Sequence, residues 1–245
     1  VRVVQYKGNS KYETIREEAS DEGYAVGYEG LIKIIMQFTP SHETIEHAFR
    51  KKITMFPEIA VRELVANAMI HQDFHSRGTF IMVEIFDNRL EITNPGLPLI
   101  KPDRFLDSPP KSPNEAIASF MRRINVCEER GTGIDKIVIE TERHQLPAPE
   151  FRTTSEHTIA TLFAHKAFKE MDRSERIQAC YLHAALHYVQ KDLMSNTTLR
   201  ERFGIEVKNS AIASRIIADT IEANLIRCKN ESVGSKARKY IPWWA

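Results

Sequence analysis

Apolar positions along the 245 residues change their period twice, and those changes outline the architecture. From Pro57 onward, Val61, Leu64, Val65 and Ala68 recur at the spacing that lays one apolar stripe along a helix. Pro57 suits the first turn of that helix, because its fixed φ is already helical, and the pattern carries to His71. Thr79 to Ile85 then alternates as a strand, Asp87-Asn88-Arg89 turns, and Leu90 to Ile92 returns as the second arm of a hairpin stopped by Asn94-Pro95-Gly96. Leu97 to Asn114 carries five prolines and little periodicity, which predicts a long surface loop of the kind that covers a site. A helix is expected over Glu115 to Val126, another after Gly131-Thr132-Gly133 with Ile134, Ile137 and Val138 facing inward, and closing strands over Phe151 to Phe163.

Beyond Met171 the pattern is helical. Asp172 or Ser174 can cap a helix running to about Val189, a short second helix over Thr197 to Phe203 ends at Gly204, and a third spans Asn209 to Ala223. Leu225 to Cys228 and Arg238 to Ile241 read as two strands around a Gly/Ser/Lys turn. Three helices followed by a basic hairpin is a winged-helix order. Residues 1–52 hold a strand-like start, a Gly/Tyr-rich turn at Glu22 to Gly30 and an apolar helical run from Leu31 to Phe38. They read as a connecting lead-in, the end of a truncated upstream domain. The expected organisation is α+β: a lead-in over 1–52, an α/β sandwich over 53–165 and a winged helix over 166–245.

No apolar stretch approaches the roughly 20 residues of a membrane span, which predicts a soluble, cytoplasmic protein with no membrane partner. Cys127, Cys180 and Cys228 are widely spaced and lack a C-x-x-C pattern, so reduced thiols are expected rather than disulfides or a zinc site. The net charge of +1 hides an asymmetry: Pro57 to Glu150 holds 11 Lys and Arg against 15 Asp and Glu, and Thr198 to Ala245 holds 9 against 5. A basic end behind a mildly acidic body fits a nucleic-acid contact, although a solvated surface gives the same count.

Glu63, Asn67 and His71 stand four apart and share one polar stripe beside the buried face of their helix. The Asn67 carbonyl oxygen suits Mg2+, which takes few protein ligands and completes its shell with phosphates and water. Glu63, one turn earlier, can orient or deprotonate water. The bland alternative is a helix with an ordinary wet side. Gly131 and Gly133 allow close approach of a phosphate to backbone N–H groups at the start of a helix, and taken alone they are more simply turn residues. His71, Asp73 and His75 also invite a metal reading, but alternating positions at a helix end converge poorly on one ion. His71 and Asp73 more simply hold the helix end near the phosphates.

The order of three separated motifs resembles the RecG-related HATPase family, a branch of the GHKL superfamily with the Bergerat ATP-binding fold. These are Phe56-Pro57 through Arg62-Glu63-Leu64, Asn67-Ala68, His71 and Asp73; Phe86-Asp87-Asn88-Arg89-Leu90-Glu91-Ile92 with Asn94-Pro95-Gly96; and Glu129-Arg130-Gly131-Thr132-Gly133-Ile134. The resemblance covers about residues 53–165. It implies that Glu63 activates water, that Asn67 binds Mg2+, and that ATP is held by Asn67, His71, Asp73, Asn94, Gly96, Gly131, Thr132 and Gly133. Asn94 stands where the superfamily's Asp binds adenine, a departure that keeps the acceptor oxygen and loses its charge. The Pro-rich stretch before Asn114 stands where an ATP lid lies. No G-x-x-x-x-G-K-[ST] motif is present, so a P-loop helicase motor is not supported.

In the terminal part, Ser195 to Gly204 forms a capped basic helix contributing Arg200 and Arg202, and Ser210, Ser214 and Arg215 line the exposed side of the third helix. That helix is the one expected in a DNA major groove, with Lys229, Lys236, Arg238 and Lys239 meeting phosphates from the wing. Glu175-Arg176 with Cys180 to Ala184, and the ending Ile241-Pro242-Trp243-Trp244-Ala245, resemble the C-terminal domain that accompanies this ATPase type in bacterial regulators; the tryptophans are expected to anchor the tail. Together these readings predict an ATP- and double-stranded-DNA-binding transcriptional regulator acting as a homodimer. The alternatives are an ATP hydrolase with a protein-binding winged helix, or a nucleotide-free scaffold.

Overall fold

The computed structural model describes the chain apart from residues 47–48, 128–131 and 235–236 and the side chains of 42–53. It divides into two compact units, one of 1–140 with 149–165, the other of 141–148 with 166–245.

The first unit is built on a six-stranded sheet. Its strands are β1 (Arg2–Tyr6), β2 (Thr14–Ala19), β5 (Met82–Ile85), β6 (Arg89–Pro95), β7 (Glu150–Thr153) and β8 (His157–Phe163), in the order β2-β1-β5-β6-β8-β7. β1 and β5 run parallel, with Val3 opposite Val83, and every other neighbouring pair is antiparallel. A parallel pair needs a long crossover. Here the crossover holds β2, helix α1 (Tyr24–Phe38), a hairpin of β3 (Ser41–Glu46) and β4 (Phe49–Thr54), and helix α2 (Glu58–His71). Helices α3 (Glu115–Arg123) and α4 (Gly133–Arg143) follow the hairpin β5-β6.

Strand alternation decides which side chains meet the helices. Val83 and Ile85 on β5, and Leu90 and Ile92 on β6, point into the core with Val3 and Leu162. The helices answer with Tyr28, Leu31 and Ile35, with Val61, Val65 and Met69, and with Met121 and Ile137. Each such side chain, fully buried, contributes on the order of 1.5–3 kcal/mol. Between them Glu84 points to the other face, where it is buried and accepts hydrogen bonds from the Tyr6 hydroxyl at 3.2 Å and Lys11 Nζ at 2.7 Å. Burial, followed by the nearby Glu84 charge, pushes the Tyr6 phenol up to about 12.

Two expectations change. The opening residues are not a connector: β1 sits inside the sheet, flanked on both sides, because Val3 and Val4 supply apolar side chains to its two faces. The expected turn at Glu22 to Gly30 is helical from Tyr24, and Gly27 and Gly30 lie inside α1. Gly27 is buried there, and a methyl group at that position would fall 2.9 Å from Glu22 Cβ, so close packing overrides its poor helix propensity.

The second unit holds α5 (Arg173–Val189), α6 (Asn196–Phe203) and α7 (Ser210–Glu222), followed by the antiparallel pair β9 (Ile226–Cys228) and β10 (Tyr240–Pro242). Asp172 caps α5 in a reciprocal box with Glu175, and Ser195 does the same for α6 with Thr198. Gly204 closes α6 with a φ of 63°. Cys180, Leu199, Ile216, Ile217, Ile226 and Ile241 are buried between these elements. Burial pushes the Cys180 thiol up to about 12, which leaves it unreactive. Trp244 donates from Nε1 to the Tyr181 hydroxyl at 3.2 Å and meets Tyr188 edge-on, so it does anchor the tail on α5.

Candidate functional site

β6 and β8 pair so that Asn94 lies opposite Thr158 and Ile92 opposite Ala160. With a side-chain period of two, all four residues present the same sheet face. They form one wall of a cavity of about 930 Å³ whose opposite wall is α2, through Glu63, Asn67, Ile70 and His71. Gly133, the first residue of α4, closes one end. The loop after β6 covers the opening through Pro98, Leu99, Phe105, Ser108 and Lys111. It is tied down at both ends. Gly96 N–H donates to the Glu156 carbonyl at 2.8 Å, while at the far end Asn114 Nδ2 donates to the carbonyls of Ile70 at 2.8 Å and Gln72 at 2.7 Å. Phe105 packs edge-on against Phe151, which holds the middle of the loop over the sheet. The volume suits a ligand of cofactor size, since such sites run to roughly 300–1,000 Å³.

The polar groups inside are few and specific. Asn94 is buried, and its Nδ2 donates to the Pro95 carbonyl at 3.2 Å, which leaves Oδ1 as an acceptor beside Ile92 and Ala160. Thr158 Oγ1 donates to the Gly96 carbonyl at 2.7 Å, which fixes the hydroxyl at the floor of the cavity and leaves its oxygen able to accept. Glu63 pairs with Lys136 on α4, Nζ to Oε1 at 3.3 Å. Desolvation lowers the His71 imidazole below its ordinary 6.5, so it is neutral near pH 7. The unfolded chain therefore takes up the proton first as pH falls, and stability is lost progressively below about pH 6.5. His71→Gln is expected to flatten that slope in thermal melts between about pH 5 and 7.

The residues singled out from the sequence are thus partly gathered. Glu63, Asn67, His71, Asn94 and Gly133 line one cavity. Gly96 and Asp73 are not among its lining residues; they pack on each other instead. Gly96 has a φ of 102°, and Asp73 N–H donates to the Pro95 carbonyl at 2.8 Å. The Asp73 carboxylate accepts from His75 N–H and from the Ser76 hydroxyl, which lower its pKa, so it caps the turn after α2. Thr132 precedes α4 and is likewise outside the lining. Gly131 lies outside the described residues. Among the described residues no group of three His, Cys, Asp or Glu is arranged to hold a metal ion. Thr158 and the lid aromatic Phe105 were missed in the sequence. The cross-strand register that puts Thr158 opposite Asn94 depends on pairing across more than 60 residues, which periodicity cannot supply.

In the second unit Ser210, Ser214, Arg215, Arg238 and Lys239 are exposed. Arg200 is half-buried, its Nε donating to Asn196 Oδ1 at 3.1 Å. Lys236 lies outside the described residues. Arg202 corrects its assignment as a DNA contact. Its side chain is 3% exposed, donates to the Leu146 carbonyl at 2.6 Å and lies 3.4 Å from Glu142, so it cannot reach a phosphate. The same Glu142 faces His183 Nδ1 at 3.0 Å, so one carboxylate meets both the guanidinium and the imidazole. On α6 the polar stretch around Arg202 looked solvated because residues 141–148, which cover it, are distant in sequence.

Among the described residues no helix is long and apolar enough to cross a membrane. No curated protein matches the chain. The crystal structure of the DIP2311 protein from Corynebacterium diphtheriae shares the fold at a TM-score of 0.63 and 16% identity, over 99% of this chain and 51% of that one. The chain therefore spans about half the length of that protein. Residues 78–162 match the family model described as "Putative ATP-dependent DNA helicase recG C-terminal". That match takes in Asn94, Gly133 and Thr158 and begins after Glu63 and Asn67, so the cavity joins matched strands to an unmatched helix. Residues 78–162 are thus similar to a RecG-related, HATPase-like domain.

Proposed function

We propose that the chain is an ATP-binding regulator whose second unit is a winged helix that contacts DNA. The observation that carries the nucleotide reading is the cavity itself: a buried Asn94 acceptor in an apolar slot, with the Glu63–Asn67 stripe and the Gly133 helix start at its other side. Asn94 Oδ1 would accept a hydrogen bond from the adenine amino group, with Thr158 beside it. Ile92, Ala160 and Leu99 would pack on the ring. Gly133 would let a phosphate approach the start of α4 closely, since a side chain there would fill the space toward Glu63. The Asn67 oxygen fits Mg2+ in donor type, and the ion, when bound, would neutralise phosphate charge. Glu63 would orient water, and the lid loop would exclude bulk solvent.

The DNA reading rests on the order of α5, α6, α7 and the β9-β10 pair, and on the exposed Ser210, Arg215, Arg238 and Lys239. In this reading α7 enters the major groove and the pair contacts phosphates, within a homodimer.

Calorimetric titration of Mg-ATP tests the first half. The Asn67→Ala protein is expected to bind roughly 10–100-fold more weakly, the loss of one charge-assisted contact. Unchanged affinity in a folded variant overturns the site. For the second half, duplex binding should weaken steeply with salt and change on adding Mg-ATP. Salt-independent or absent DNA binding would overturn it and leave a nucleotide-binding unit with a protein-binding partner domain.

A further inference from the structure

Glu63 does something in this structure besides lining the cavity. A methyl group built on Gly133 would fall 2.9 Å from Glu63 Oε2, so the carboxylate rests directly against the first turn of α4. Lys136, on the same turn, holds the other oxygen at 3.3 Å. The first turn of an 11-residue helix carries partial positive charge, the environment that attracts phosphate, and it also holds the acid Asp135. Further positive charge converges from outside. A second cavity, of about 890 Å³, shares Glu63, Arg122 and Cys127 with the first and is also lined by Arg62, Arg123 and Lys136, with Glu140 as its other acid. The Glu63 side chain is 13% exposed, so it lies largely inside the wall between the two cavities.

We propose that Glu63 is an internal occupant of the anion position at the start of α4, kept there by Lys136, and that a terminal phosphate replaces it. In the exchange Lys136 passes from carboxylate to phosphate, and Glu63 is released toward the cavity, where it can orient water. Lys136 is then a positioning residue for Glu63 and the selector of triphosphate over diphosphate. The inference rests on reading the cavity as a nucleotide site and adds the order of events at its phosphate end.

The test uses the whole chain as wild type, Glu63→Gln, Lys136→Met and the double variant, each checked for folding by thermal melt. Calorimetry is run with Mg-ATP, Mg-ADP and inorganic tripolyphosphate. Removing the competing carboxylate charge is expected to tighten Mg-ATP and tripolyphosphate about 10-fold in Glu63→Gln, while Mg-ADP changes less than about 2-fold. Lys136→Met is expected to weaken Mg-ATP about 10-fold with a smaller effect on Mg-ADP, a split that a merely structural ion pair would not produce. Wild type binding Mg-ATP with Glu63→Gln no tighter overturns the exchange and keeps the nucleotide site. Tripolyphosphate bound more tightly by Glu63→Gln, with no Mg-ATP binding, keeps the exchange and overturns the adenine reading. Failure of every ligand with folded wild type and Glu63→Gln overturns both.

Discussion

Glu142→Ala is expected to lower the stability of the second unit by about 3–5 kcal/mol, read as a shift of the denaturant midpoint. The size follows from what is left behind. Arg202 is 3% exposed, and desolvation already depresses its pKa against the raising effect of Glu142. Without that carboxylate the guanidinium keeps its hydrogen bond to the Leu146 carbonyl at 2.6 Å, while its Nε loses the charge it faces. Arg202→Met added to Glu142→Ala is expected to recover part of the loss, because the orphaned charge is gone while most of the side-chain volume stays. A Glu142→Ala protein as stable as wild type would show that the pair is wetter than its burial implies.

Gly96→Ala carries the second large effect, a loss of about 2–4 kcal/mol that combines backbone strain with overpacking. Its φ of 102° belongs to a region that residues with a Cβ rarely enter, and the added methyl would meet Asp73 Cβ at 2.9 Å and Asp73 N at 3.0 Å. Neither atom is the end of a flexible side chain, so relief requires moving the end of α2 away from β6. Nucleotide affinity should fall along with stability, because α2 carries Asn67 and β6 carries Asn94. A fully stable Gly96→Ala protein would contradict this geometry. The sequence pointed to Gly96 for contact with adenine; the structure gives it the task of letting the two walls of the cavity meet.

What could be read in the sequence was what local chemistry dictates. The apolar stripe of α2 and the hairpin around Asp87-Asn88-Arg89 follow from local patterning and agree with the structure, and of the two caps open to α5, Asp172 or Ser174, the structure takes Asp172. The polar stripe of Glu63, Asn67 and His71 does face one cavity. What escaped depends on distant pairing. Arg202 looked like a surface cation because Glu142 and Leu146, which bury it, lie some 60 residues away. Thr158 looked like any strand threonine until its register with Asn94 was known. Asp73 had the right type and position for a ligand, yet the nearer donors at His75 and Ser76 claim its oxygens.

The parallel pairing of β1 with β5 sets a condition on how the first unit is made during synthesis. Val3 meets Val83 only after the ribosome has delivered the whole crossover, and β6 gains its other neighbour only when β8 emerges, more than 60 residues later. Such long-range closure is slow relative to local helix formation. Until then the valines of β1 are an apolar segment with one antiparallel partner, β2, and an open edge. The charges that crowd β2, Arg16, Glu17 and Glu18, flank that waiting strand and discourage neighbouring chains from pairing with it. A fragment limited to residues 78–162 would lack β1 altogether and leave the edge of β5 unpaired, so the stretch that carries the family likeness is narrower than the sheet it belongs to.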